Sequence, residues 1–111
     1  MKFMITGTMR YQATPTEIDV ETQRLDRVVR GWSPADPDRT VHAFVMGIDG
    51  HTNWMIVETD DVKGLMRDMA VFSPWLDQHV VPVVDIADAG AALDQASALR
   101  RSVLEPSNEV P

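Results

Sequence analysis

The strongest constraint on this chain lies in residues 39–59, RTVHAFVMGIDGHTNWMIVET, where two alternating apolar runs flank Asp49-Gly50. Asp-Gly between alternating hydrophobics is the strongest short-range hairpin signal a sequence offers. A type I′ turn with Asp49 and Gly50 at its two φ > 0 positions sets a register in which paired residue numbers sum to 99. Met46 then faces Asn53, Phe44 faces Met55 and His42 faces Val57 on one side of the sheet. Val45 with Trp54, Ala43 with Ile56 and Val41 with Glu58 share the other side. Both faces are mostly apolar, so both need cover. One can take the chain's own helices; the other needs a second sheet, a partner subunit or a ligand.

The flanking segments read as strand, helix, hairpin, helix, strand, helix, tail. Residues 2–9 form a strand with Met4, Thr6 and Thr8 on one face and Phe3, Ile5 and Gly7 on the other. Thr14-Pro15-Thr16-Glu17 is a capping box with proline at the first helical position, where its missing N–H costs nothing. That helix runs to about Gly31 and buries Ile18, Leu25, Val28, Val29 and Trp32. Ser33-Pro34-Ala35-Asp36-Pro37-Asp38 is a loop. Asp60 is the expected N-cap of a second helix, on which Val62, Leu65, Met66 and Met69 recur on one face. Ser73-Pro74 ends it and Trp75-Leu76 makes a short further turn. His79–Ile86 is a β-branched fourth strand, whose Pro82 places it at an edge or a bulge. Asp88 is expected to cap a third helix carrying Ala92, Leu93, Ala96 and Leu99. From Leu104 the composition is that of a disordered tail, leaving residues 1–103 as one domain.

The β-α-β-β-α-β order predicts an α+β, ferredoxin-like fold with an extra C-terminal helix: four antiparallel strands in order 4-1-3-2 and two helices on one face. The uncovered face predicts a homodimer, two sheets packed face to face around a cavity.

Composition narrows the function classes. A net charge of −7 with scattered basic residues argues against nucleic acid, whose phosphates need a Lys/Arg surface. The sequence opens directly on a strand, without a signal-peptide pattern, and no apolar run is long enough to span a bilayer. Zero cysteines exclude a thiol nucleophile and a thiolate metal site and fit a cytoplasmic protein. His42, His51 and His79 have no metal-ligand spacing, and no glycine-rich phosphate loop is present, so neither metal nor cofactor is expected.

The opening MKFMIT, the strand end Glu58-Thr59-Asp60-Asp61, Ser73-Pro74-Trp75-Leu76 and Val80-Val81-Pro82-Val83-Val84 together resemble the dimeric α+β barrel superfamily over residues 1–88. The nearer likeness is to small, uncharacterised bacterial domains of that fold; a looser one is to polyketide cyclases of the tetracenomycin type and antibiotic-biosynthesis monooxygenases. The resemblance implies a homodimer with one pocket per subunit between sheet and helices, and it transfers no catalytic residue. Haem-degrading relatives of this fold use a helix histidine with an asparagine and a tryptophan. Asn53, Trp54 and His79 are the same residue types in a different order, so haem is a lesser alternative.

The candidate site follows from the hairpin faces. The face with Ala43, Val45, Trp54 and Ile56 suits the helix layer, whereas Thr6, His42, Phe44, Met46, Asn53 and Met55 mix polar groups into an apolar lining. Thr8, Met66 and Trp75 complete the expected ligand-binding set. Methionine and aromatic side chains with a few hydroxyls and amides suit a flat, mostly apolar small molecule. His42 exchanges protons near neutral pH; Asp85, with its pKa raised by burial, is a candidate acid or base; Tyr11 would rim the pocket and hold an acidic or phenolic ligand. Each has a structural alternative: His42 as a bonded strand histidine, Asp85 and Glu58 as solvated strand ends. The expected function is a cofactor-independent cyclase, isomerase or monooxygenase acting on an aromatic or polyketide-like substrate. The alternative is a non-catalytic domain that binds a small ligand.

Overall fold

The computed structural model describes residues 1–10 and 14–105. Its elements are β1 (Lys2–Met9), α1 (Pro15–Gly31), β2 (Thr40–Met46), β3 (Thr52–Glu58), α2 (Val62–Phe72), β4 (Leu76–Val83) and α3 (Ile86–Leu104). The four strands make one antiparallel sheet, β2-β3-β1-β4, an α+β arrangement compatible with a ferredoxin-like fold.

Local chemistry accounts for most boundaries. Thr14 Oγ1 accepts from Glu17 N at 3.3 Å, with Pro15 at N1, as the capping box requires. The second helix starts one residue later than expected: Asp61, not Asp60, is its N-cap, accepting from Gly64 N at 2.8 Å. Gly64 is needed there, because a Cβ would lie 2.7 Å from the Cβ of Ala35 and against the capping carboxylate.

The hairpin turn differs from the expected type I′. Gly50, at φ +70°, is the only positive-φ residue among those described, and Asp49 is not in that region. The connection instead closes with Gly50 N donating to Gly47 O at 2.9 Å, while Asp49 Oδ1 accepts from His51 N at 3.0 Å. A longer loop centred on the same point keeps the register, so Met46↔Asn53, Val45↔Trp54, Phe44↔Met55 and Ala43↔Ile56 all pair as expected. Beyond them a β-bulge between Val41 and Ala43 shifts the pairing, to Val41↔Val57 and Thr40↔Glu58. Gly50→Val should still lower stability by about 1–3 kcal/mol, since a β-branched residue is strained at this φ. Thermal unfolding measures it; an unchanged melting temperature would mean the turn is built differently.

The fourth strand begins three residues early. Eight residues of β1 require eight partners, and the ladder runs from Met9↔Leu76 to Lys2↔Val83. Polar Asp77, Gln78 and His79 are tolerated because β4 is an edge strand, where Pro82 also fits. Asp85 therefore follows the strand and stands at the N-cap position of α3, without a side-chain capping bond, and Asp88 falls in the helix's first turn.

The core is small. Phe3, Ile5, Val57 and Leu65 are buried, with Met55 and Met69 packed against them. Ile18, Leu25, Val28 and Trp32 are half-buried, whereas Val29, a helical step off their stripe, is exposed. Val62 and Met66 are exposed as well, so only Leu65 and Met69 of the second-helix pattern reach the core. Asp68 is the buried polar anchor: its carboxylate accepts from Trp32 Nε1 at 3.3 Å and Ala35 N at 3.2 Å and pairs with Arg67 at 2.9 Å. It ties the loop after α1 to α2. Helix α3 buries no residue. The radius of gyration is 21.0 Å, against about 13 Å for a compact chain of this length. The exposed surface is 8382 Å², against about 6,100 Å² for a folded monomer of 12.4 kDa. A single copy leaves roughly 2,000 Å² more surface in water than a folded monomer should.

Candidate functional site

Strand register sorts the candidate residues onto two faces. In the β1–β3 ladder even numbers pair with even: Met4↔Ile56 and Thr6↔Trp54 on one face, Phe3↔Val57 and Ile5↔Met55 on the other. The second set is the core, so the helices lie on the side of Phe44, Met46, Asn53 and Met55. The face expected to hold the pocket is thus split, and its hairpin half is inverted. Thr6 and Thr8 share the open face with Ala43, Val45, Trp54 and Ile56, the set expected beneath the helices, and with Val81 of β4. The physical reason lies in β1: Phe3 and Ile5 provide more apolar area than Thr6 and Thr8, and they carry Val57 and Met55 with them into the core. Asn53, a polar residue on the inner face, lies across Gly7, whose missing Cβ leaves its carboxamide room.

His42 reaches the open face by another route. It is the extra residue of the bulge, and its ring turns to Glu58, Nε2 to Oε1 2.8 Å. The pair lies at one end of an open face whose centre is apolar: Met4, Val45, Trp54, Ile56 and Val81. Trp54, at that centre, is 36% exposed. Beside the pair, Lys2 Nζ donates to Asp85 Oδ1 at 2.7 Å. That hydrogen bond and the charge of Lys2 hold the Asp85 carboxyl below its ordinary value, and the Lys2 ammonium is raised in turn. Asp85 is therefore an ion-pair partner and not a carboxyl raised by burial, because it sits in water beside a cation.

The remaining candidates disperse. Trp75 donates its indole N–H to Glu21 at 3.0 Å and pins α1 to the turn before β4. Met66, 76% exposed on α2, is remote from the open face. His79, opposite Thr6 in the β1–β4 ladder, stays on the open face at the edge strand, 3.8 Å from Asp77, and His51 is exposed in the hairpin connection. Tyr11 lies outside the described residues. Glu58 opposite His42 is the partner that alternation alone conceals, because only the bulge brings the two together.

Among the described residues two concavities stand out, and both are open to solvent. One is a shallow groove between α1 and α2 at Val28, Trp32 and Val71. The other is a carboxylate-lined cleft formed by Asp36, Asp38, Glu58, Asp60 and Asp61. In that cleft the Thr59 hydroxyl donates to Asp36 at 2.6 Å, and this bond, followed by that from Asp38 N, lowers the Asp36 pKa from its ordinary 3.8. A carboxyl depressed on folding contributes stability above its unfolded pKa and loses it as pH falls through the folded one. Thr59→Val should therefore lose less melting temperature than the parent between about pH 5 and pH 2. Equal acid losses in parent and variant would contradict that assignment.

Among the described residues no helix is long and apolar enough to cross a membrane. Residues 1–97 match a family whose description is a domain of unknown function, DUF3303. No curated protein matches the chain.

Proposed function

The chain belongs to the DUF3303 family, and from that premise we propose that it works as a homodimer whose open sheet faces meet around a site for a flat, apolar small molecule. The observation that carries this reading is the His42–Glu58 pair, 2.8 Å apart on the same face as an apolar strip of Met4, Val45, Trp54 and Ile56. An unpaired apolar face of this kind is a site of association or ligand binding. The excess surface of the single chain exceeds the roughly 800 Å² that each partner buries in an ordinary protein interface.

Chemistry enters through the imidazole. A carboxylate that accepts from Nε2–H fixes the tautomer and leaves Nδ1 with the lone pair, the arrangement of an oriented general base. Glu58 also stabilises the imidazolium formed once a proton has been taken up. Thr6 offers a hydroxyl and Trp54 a flat stacking surface to the same ligand. These groups suit cofactor-independent proton transfer, as in a cyclisation or isomerisation of an aromatic or polyketide-like molecule. Binding without turnover needs only Thr6 and Trp54, and the 2.8 Å pair is what favours the catalytic reading.

Native mass spectrometry of the purified chain tests both parts. The expected spectrum shows two 12.4 kDa chains with a small organic molecule that is lost from Trp54→Ala, and that His42→Ala holds in an unconverted form separable from the parent's ligand by chromatography after release. A ligand retained by Trp54→Ala would overturn the site. Retention of an identical, chemically unaltered ligand by parent and His42→Ala would leave binding without catalysis.

A further inference from the structure

Helix α3 presents a surface that its own chain does not use. At about 100° per residue, Ile86, Leu93, Leu99, Val103 and Leu104, with the alanines between them, fall in one arc of roughly 140°, interrupted only by Arg100. All five are exposed, Leu99 at 66%. Most helical stability in proteins comes from packing an apolar face, and α3 buries no residue against its own chain.

A matching vacancy lies at the opposite edge of the sheet. The inner face is closed over β1 and β3, where Phe3, Ile5 and Val57 are buried. Over the edge strand β2 it is open: Phe44 is 60% and Met46 56% exposed, although both point to the helix side. The chain does not fill this slot with its own α3: the helix buries no residue, and it starts beyond the end of β4, three strand spacings or about 14 Å from β2. The Lys2–Asp85 pair further ties the residue before α3 to the start of β1, beside β4.

We infer that α3 is an exchanged arm, seated in a second copy of this chain over Phe44 and Met46 on the helix side of β2. The occupant is a second copy because each chain carries both the unpartnered rod and the unpartnered slot, at opposite sheet edges, and reciprocal exchange closes with two-fold symmetry. The surface left over by one copy, roughly 2,000 Å², also matches what each partner loses in an obligate dimer. The inference rests on the homodimer part of the proposed function and adds a contact outside the sheet faces.

The parent has no cysteine, so Leu99→Cys and Phe44→Cys each introduce a single thiol. Mixed after subunit exchange and treated with a short bismaleimide, the two variants should give a cross-linked pair containing one of each. Linkage of Leu99→Cys only to itself would replace the slot by arm–arm pairing and overturn the inference. Linkage only within one chain of the double variant would mean that α3 folds back, and would also overturn it. Leu99→Glu and Phe44→Glu change residues that are exposed in a single chain, yet each should weaken the dimer at least tenfold; assembly unchanged in both would contradict the arm. Trp54→Glu separates the two readings. A dimer that survives Trp54→Glu but not Leu99→Glu sinks the sheet-face site and keeps the arm, and the reverse pattern sinks the arm alone.

Discussion

Replacing Asp68 by alanine is expected to lower stability by about 2–4 kcal/mol. Trp32 Nε1 and Ala35 N both donate to this carboxylate, and removing it leaves two part-buried donors without an acceptor. The cost is large against the roughly 5–10 kcal/mol that a domain of this size holds in total. It also reaches beyond Asp68, because Trp32 packs edge-on against Phe72 at a centroid distance of 5.2 Å and carries Arg39 over its ring. Asp68→Asn keeps one acceptor oxygen and should cost about half as much. Urea unfolding checks this: the midpoint should fall while the slope stays constant. A loss under about 0.5 kcal/mol would mean that water replaces the carboxylate and that the loop after α1 is held elsewhere.

Trp54→Glu should have the largest effect on assembly. Trp54 stands between Val45 and Thr6 at the centre of the open face. In a single chain a glutamate there still reaches water, since Trp54 is 36% exposed. Between two sheets it would be an unpaired charge, and the dimer constant should weaken by about 100-fold or more. Sedimentation velocity across a dilution series reads that shift. Met66→Glu, at an exposed position on α2, serves as the control and should sediment as the parent does.

The local signals in the sequence translated well, and the long-range pairings did not. Thr14–Glu17, the strand at 2–9 and the register around Asp49-Gly50 could all be read, because capping and hairpin chemistry is settled within a few residues. The faces could not be assigned from the hairpin alone. Phe44/Met55 and Val45/Trp54 are equally apolar, and the choice between them is made by β1, nearly fifty residues away from Met55, through Ile5↔Met55 and Thr6↔Trp54. His42 shows the same limit. Strict alternation puts it beneath the helices, and one bulge turns it to Glu58 on the other side. Asp85 misled because a β-branched run hides where a strand ends; the end is set by the length of β1, its partner. Apolar periodicity identified α3 as a helix but could not show that nothing in its own chain packs on it.

In the proposed homodimer one copy of this chain is half of the working unit, with its open sheet face covered by a second copy. Sedimentation equilibrium of the full chain at micromolar concentration tests it most directly. The expected result is a single species with the mass of two 12.4 kDa chains. A species of 12.4 kDa that persists as concentration rises would contradict it, and with it both the ligand site between the sheets and the exchanged arm.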